Sequence, residues 1–163
     1  MLGIREVAWL GFPDGGLEDS RALRGRLVEM IRRYRPDTVL THDPYVRRRF
    51  SHRDHWIAGM VVQDAVFPFA RDRLHFPEQV EAGLEPHKVT ELLFWDSDEP
   101  DVIVDVSGYV RKQSEALARY RSQLGGLLCG PEPFDWLLAR SRDVAVGESF
   151  EGGEVFRRLI APL

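Results

Sequence analysis

The chain has 163 residues, 44% hydrophobic and 29% charged, with a formal net charge of −4 at pH 7. This is an ordinary globular composition, and residues 1–163 are expected to form one domain with a sizeable core. The acidic balance argues against a nucleic-acid partner, no apolar run is long enough to span a bilayer, and a lone cysteine, Cys129, excludes an intrachain disulfide and fits a reducing compartment, so a cytoplasmic protein is expected.

The first residues, Met1-Leu2-Gly3-Ile4-Arg5-Glu6-Val7, carry no signal-peptide pattern. Residues 6–12, Glu-Val-Ala-Trp-Leu-Gly-Phe, read as a short buried strand ending in a tight turn at Pro13-Asp14-Gly15-Gly16. Asp19 or Ser20 is placed to cap the next helix, in which Leu23, Leu27, Met30, Ile31 and Tyr34 recur at helical spacing. Arg32, Arg33 and Arg35 suit the negative end of its dipole, and Pro36 stops it. Thr38 to Thr41 reads as a second buried strand, running into His42-Asp43-Pro44. A helix follows from about Asp54 to Val66, with Ile57, Met60, Val61 and Ala65 on one side and Ser51 or His52 near its start; Pro68 closes it.

Residues 67–87 read as a long irregular connection with Phe67, Phe69 and Phe76 set among charges. Two readings stand: a lid over a substrate, or a loop whose phenylalanines pack against the sheet. Residues 89–95 and 102–106 read as strands. Ser107 is placed to cap a helix in which Val110, Leu117, Arg121 and Leu124 form a stripe, ended by Gly125-Gly126. Residues 133–146 make a weaker helix, and Val155, Phe156, Leu159 and Ile160 mark a short amphipathic piece near the end. Cys129, beside Gly130-Pro131, reads as structural or incidental. The alternation predicts βαβ units on a parallel sheet, with ligands bound outside the carboxyl ends of the strands. Asp14 and the segment from His42 to His55 lie at such ends. No G-x-G-x-x-G or P-loop is present, which disfavours a nucleotide-binding module.

Three histidines and two aspartates fall within the fourteen residues from His42 to His55. His52 and His55, three apart, share a helix face. Imidazole suits zinc, and a catalytic zinc takes three protein ligands and a water. Asp54 is able to orient a histidine and raise its pKa. The plainer reading is a pair of surface histidines on a first helical turn, with Asp54 there for the dipole. Arg47-Arg48-Arg49 reads either as a clamp for a phosphate or carboxylate or as a solvated run. Asp14-Gly15 alone is a turn that needs glycine.

The ordered motifs resemble the LmbE-like/PIG-L family of zinc-dependent N-acetylglucosaminyl deacetylases. Leu10-Gly11-Phe12-Pro13-Asp14-Gly15 is similar to the family's Leu-Gly-x-x-Asp-Gly turn, and His52-Arg53-Asp54-His55 to its His-Pro-Asp-His. Gly83 to Val89, Val104-Asp105-Val106-Ser107 with the helix from Lys112 to Gln123, and Gly153-Glu154-Val155-Phe156-Arg157 extend the likeness over nearly the whole chain. It implies a Rossmann-like three-layer sandwich with a mostly parallel sheet. It also implies that a zinc-bound water hydrolyses the N-acetyl group of a GlcNAc-type conjugate. His55 would be a zinc ligand, His52 the group that polarises the amide carbonyl, and Asp54 its support. Asp14 would contact sugar hydroxyls, Arg49 the substrate, and Asp43 and His42 would stand behind the site. Arg53 replaces the family's proline, and Phe50 sits where some members carry a tyrosine.

The family's His-Pro-Asp-Asp motif, which supplies two ligands and the general base, does not occur in this sequence. The chain therefore reads as an N-terminally shortened domain, short of about 60–70 residues of strand, loop and helix. Zinc held by His55 alone is expected to bind weakly or not at all. Two alternatives follow: a remnant that acts as a carbohydrate-binding or interaction module, or one half of a split enzyme. A sheet that lacks a strand exposes a pairing edge, so self-association into a homo-oligomer is among the expected states.

Overall fold

The computed structural model describes residues 2–120 and 133–161. Ser20, not Asp19, opens the first helix, α1 (Arg21–Tyr34): its side chain accepts the Leu23 N–H at 3.2 Å. The helix ends at Arg35, which takes a left-handed conformation and donates its N–H to the Ile31 carbonyl at 2.9 Å. Then come β1 (Thr38–His42), α2 (Arg53–Val66), a 3-10 turn (Phe69–Arg71), α3 (Pro77–Glu81), β2 (Glu91–Trp95), β3 (Val102–Asp105), α4 (Val110–Leu117), α5 (Pro133–Val144) and β4 (Gly153–Ile160). The strands form one open sheet in the order β1-β2-β4-β3. β1 and β2 are parallel, with Thr38 opposite Glu91 and His42 opposite Trp95, while β4 runs antiparallel to β2, with Phe94 opposite Arg157. Among the described residues no helix is long and apolar enough to cross a membrane.

The chain divides into two compact units, Leu10–Val102 with Phe156–Leu163, and Met1–Trp9 with Ile103–Val155. The first has a core of Val28, Ile31, Ala65, Val66, Ala70, Phe76, Val89, Leu92 and Phe94 between helices and sheet. A second cluster of Leu23, Ile57 and Val61 packs with Leu10, Phe12 and Leu17. Gly59 sets the distance between α2 and β1: a Cβ there would lie 2.4 Å from the His42 carbonyl oxygen and 2.8 Å from Pro44 Cδ. The helix therefore passes directly against the strand end, and this brings its first turn to His42.

Several sequence expectations change. Residues 6–12 form no strand: Gly11 has φ +77° and Trp9 is 89% exposed. The connection after Phe67 is not irregular throughout: it contains the 3-10 turn and α3. Arg32, only 2% exposed, sends its guanidinium into that loop rather than to solvent at the helix end. It donates to the carbonyls of Phe69, Ala70, Asp72, His75 and Phe76 and to Gln79 Oε1, and Phe76 packs into the core.

In the other unit, Ser107 caps no helix. Its hydroxyl donates to Asp105 Oδ1 at 2.6 Å and accepts the Gly152 N–H at 2.9 Å, tying the ends of two strands together, while α4 starts after Tyr109. The amphipathic piece near the end is the strand β4. Cys129, Arg121, Leu124 and Gly125-Gly126 lie outside the described residues.

Candidate functional site

The site lies at the carboxyl ends of β1 and β2, where an α/β sheet presents its loops. His42 ends β1, and opposite it in register Trp95 ends β2. The Trp95 indole N–H donates to His42 Nδ1 at 2.9 Å. Indole nitrogen is a donor only, so a neutral His42 carries its proton on Nε2. Burial, then the neighbouring His55, lowers the His42 pKa from its ordinary value, and Asp96 only partly opposes this. The His42 ring lies face to face with that of His55, with centroids 3.8 Å apart and planes 8° from parallel.

His52 is the N-cap of α2, with extended backbone; its Nδ1 accepts the Asp54 backbone N–H at 3.2 Å. Its neutral form therefore keeps an N–H on Nε2, and the residue is exposed. The His52 and His55 rings are 5.4 Å apart. The sequence reading gave Asp54 the task of holding His52 with its carboxylate. Its backbone does this instead, and the carboxylate turns the other way, accepting the N–H groups of Gly15 at 2.6 Å and Leu17 at 3.2 Å. Asp54 thus clamps the turn that carries Asp14, whose side chain is exposed at that rim.

Asp43, 4% exposed, is the buried anchor of the floor. It accepts the Tyr45 N–H at 2.7 Å and the Ser97 hydroxyl, and its backbone N–H donates to the Trp95 carbonyl at 3.1 Å. Arg49 pairs with Asp96, Oδ1 to Nη2 at 3.0 Å, just past β2. The backbone N–H groups of Arg47 and Arg48 donate to Asp98, and these two bonds hold its carboxyl below the usual carboxylate range. The predicted residues His42, Asp43, His52, Asp54, His55, Asp14 and Arg49 thus gather around two adjacent strand ends. Trp95 and Ser97 were not among the expected site residues, and Arg157 entered only as part of the Gly153–Arg157 motif; their partners at the site, His42 and Asp43, are distant in sequence.

A zinc ion needs several converging donors. Among the described residues, no three His, Cys, Asp or Glu side chains converge to hold one. His42 fails as a ligand for a further reason: neutral imidazole that binds metal through Nε2 must carry its proton on Nδ1, where Trp95 already donates. The described residues do not fit a complete zinc site.

Residues 1–66 match the family model described as PIG-L: GlcNAc-PI de-N-acetylase. The chain is 32% identical over 123 residues to the diacetylchitobiose deacetylase of Thermococcus kodakarensis, an alignment covering 76% of this chain and 45% of that protein. The chain thus spans less than half the length of this curated relative. Its fold is similar to that of the N,N'-diacetylchitobiose deacetylase from Pyrococcus horikoshii, with TM-score 0.80 and 24% identity over 97% of this chain and 58% of that one. A conserved protein of Thermus thermophilus matches with TM-score 0.71 and 29% identity, over 94% and 65%. The 4-carboxy-2-hydroxymuconate hydratase of Pseudomonas putida shares the fold at TM-score 0.63 and 16% identity, over 88% and 60%.

Proposed function

From the membership of residues 1–66 in the PIG-L family, we propose that this chain carries part of an N-deacetylase site, one that hydrolyses the acetamide of an N-acetylated amino sugar to acetate and the free amine. The observation that carries the reading is the His52 ring: with Nδ1 accepting from the Asp54 N–H, its neutral form offers Nε2–H as a donor at the strand ends. Such a donor stabilises the oxygen of an amide as it gains charge in the tetrahedral intermediate. The likeness to two chitobiose deacetylases supports a GlcNAc-type sugar. Asp14, held at the rim by the Asp54 clamp, is the acceptor for sugar hydroxyls, and Asp43 and His42 fix the floor. Zinc is the metal to which an imidazole such as His55 is suited, but the described donors do not make a full ligand set, and no step is assigned to it.

The test is acetate release from diacetylchitobiose and N-acetylglucosamine by the 163-residue chain, with and without added zinc. His52→Ala is expected to cut the rate by about 10²–10³, the effect of removing one oxyanion donor. An unchanged rate in that variant removes His52 from the chemistry, and no acetate under any condition refutes the deacetylase. The incomplete donor set favours a second reading, a carbohydrate-binding module, which calorimetric binding of the same sugars without acetate release would establish.

A further inference from the structure

Beside the histidines, in the same unit, a cleft of about 290 Å³ is lined by residues that include Asp43, Tyr45, Arg47, Arg48, Asp98 and Arg157. We propose that this cleft recognises an anionic oxygen group, a phosphate or a carboxylate, carried by the substrate, and that Arg157 is its anchor; the word substrate here rests on the deacetylase reading above.

The carboxylates of Asp43 and Asp98 are engaged by hydrogen bonds, whereas the guanidinium groups of the cleft make none among the described residues. Asp43 accepts from the Tyr45 N–H at 2.7 Å and from the Ser97 hydroxyl, and Asp98 takes the backbone N–H groups of Arg47 and Arg48 at 2.6 and 2.8 Å. Because Asp98 uses the backbone of those arginines, their guanidinium groups make no ion pair or hydrogen bond among the described residues. Arg157 forms a long ion pair with the buried Asp43, Nη1 to Oδ2 at 3.9 Å, without a hydrogen bond. It is also placed by stacking over the Tyr45 ring, 5.1 Å from the centroid, and that ring is fixed by a hydroxyl bond to Gln63 Oε1 at 2.9 Å. Arg157 is a β4 residue in register with Phe94, so the anchor stands on the sheet. A planar fork of donors, oriented but without a hydrogen-bond partner among the described residues, matches a carboxylate or phosphate bidentately. A neutral sugar brings acceptors but no charge for a charge-assisted contact with Arg157. Glu99, exposed on the cleft wall, is the carboxylate that competes with such a ligand.

The experiment is calorimetric binding of four probes to the whole chain: methyl N-acetylglucosaminide, N-acetylglucosamine 1-phosphate, N-acetylmuramic acid and inorganic phosphate. The two charged sugars are expected to bind about tenfold tighter than the methyl glycoside, a modest return for one charge-assisted bidentate contact. Arg157→Gln should abolish that preference, Arg157→Lys should keep part of it, and Glu99→Gln should widen it. Equal affinity of charged and neutral sugars, or a preference that survives Arg157→Gln, overturns the proposal. Inorganic phosphate that binds as tightly as the sugar phosphate overturns the assignment to a substrate group. If Arg157→Gln does not fold, Arg157→Lys and the loss of the preference at high ionic strength decide. Acetate is measured in the same samples. A charge preference without acetate release sinks the deacetylase reading and keeps the subsite; acetate release without the preference sinks the subsite alone.

Discussion

Replacing Arg32 by Met removes the clamp that orders the connection after α2 while keeping the buried aliphatic stem. Two of its bonds, to the carbonyls of Asp72 and His75, are 2.8 Å long, and that to Phe76 is 3.1 Å; those to Phe69, Ala70 and Gln79 run from 3.2 to 3.4 Å. A hydrogen bond to a charged group contributes about 1.5–3 kcal/mol net, so the two short bonds alone amount to about 3–6 kcal/mol. The weaker bonds are not additive with them, and the loop can undock to rehydrate its carbonyls, which caps the loss. The expected cost is about 3–5 kcal/mol. With a urea slope of about 2 kcal/mol/M, the midpoint falls by about 1.5–2.5 M. Arg32→Lys offers one point charge in place of the fork and should recover less than half. Urea unfolding followed by tryptophan fluorescence reads both, and hydrogen exchange of the His87 amide, which donates to the Ala70 carbonyl at 2.9 Å, reports the loop itself. A midpoint shift below about 0.5 M at unchanged slope would show that the carbonyls do not depend on Arg32 and refute the reasoning.

Gly59→Ala sets a methyl against the His42 carbonyl, a backbone atom that cannot swing aside, and is expected to destabilise by about 1–3 kcal/mol despite alanine's better helix propensity. A thermal midpoint equal to or above that of the parent would contradict this close approach. Asp54→Ala frees the Gly15 and Leu17 amides; it should cost about 1–2 kcal/mol and speed exchange of both, and unaltered exchange at Gly15 would exclude the clamp. The His42 pKa is depressed in the folded chain by burial and by His55, so the unfolded chain takes up the proton first as the pH drops. Its contribution to stability is full above the ordinary value of 6.5 and is lost as the pH falls through the folded pKa. Urea midpoints between pH 8 and 5 should fall less steeply in His42→Gln than in the parent, and equal slopes would remove His42 as the cause.

What was legible in the sequence was local. Ser20, the apolar spacing of α1, Pro36, the cap at His52 and the run from Thr38 to Thr41 each announce their structure within a few residues. So the two helices, the strand between them and the histidines at its end were placed from spacing alone. What was not legible depended on distant partners. An apolar run such as residues 6–12 becomes a strand only if another strand pairs with it, and Gly11 turns this one away. Arg32 looks like a dipole cation at a helix end; only the path of a loop some forty residues on makes it a buried clamp. The carboxylate of Asp54 faces two backbone N–H groups at positions 15 and 17, and no spacing rule within the H-x-D-H motif foretells that choice.

The same distinction separates the three histidines of the site. As sequence, His42, His52 and His55 are equivalent imidazoles close to a strand end. In the fold, Trp95 leaves the His42 proton on the wrong nitrogen for metal binding, the cap gives His52 a free N–H donor, and His55 is stacked on His42 with no hydrogen bond to its ring nitrogens among the described residues. The hydratase of Pseudomonas putida shows that this fold also accommodates a different reaction, so the architecture by itself does not select a chemistry. The selection lies in which ring nitrogens carry protons and which guanidinium groups keep donors free of hydrogen bonds. They are set by contacts at the ends of β1, β2 and β4 and by the cap of α2, and they are open to single substitutions at Trp95, His52 and Arg157.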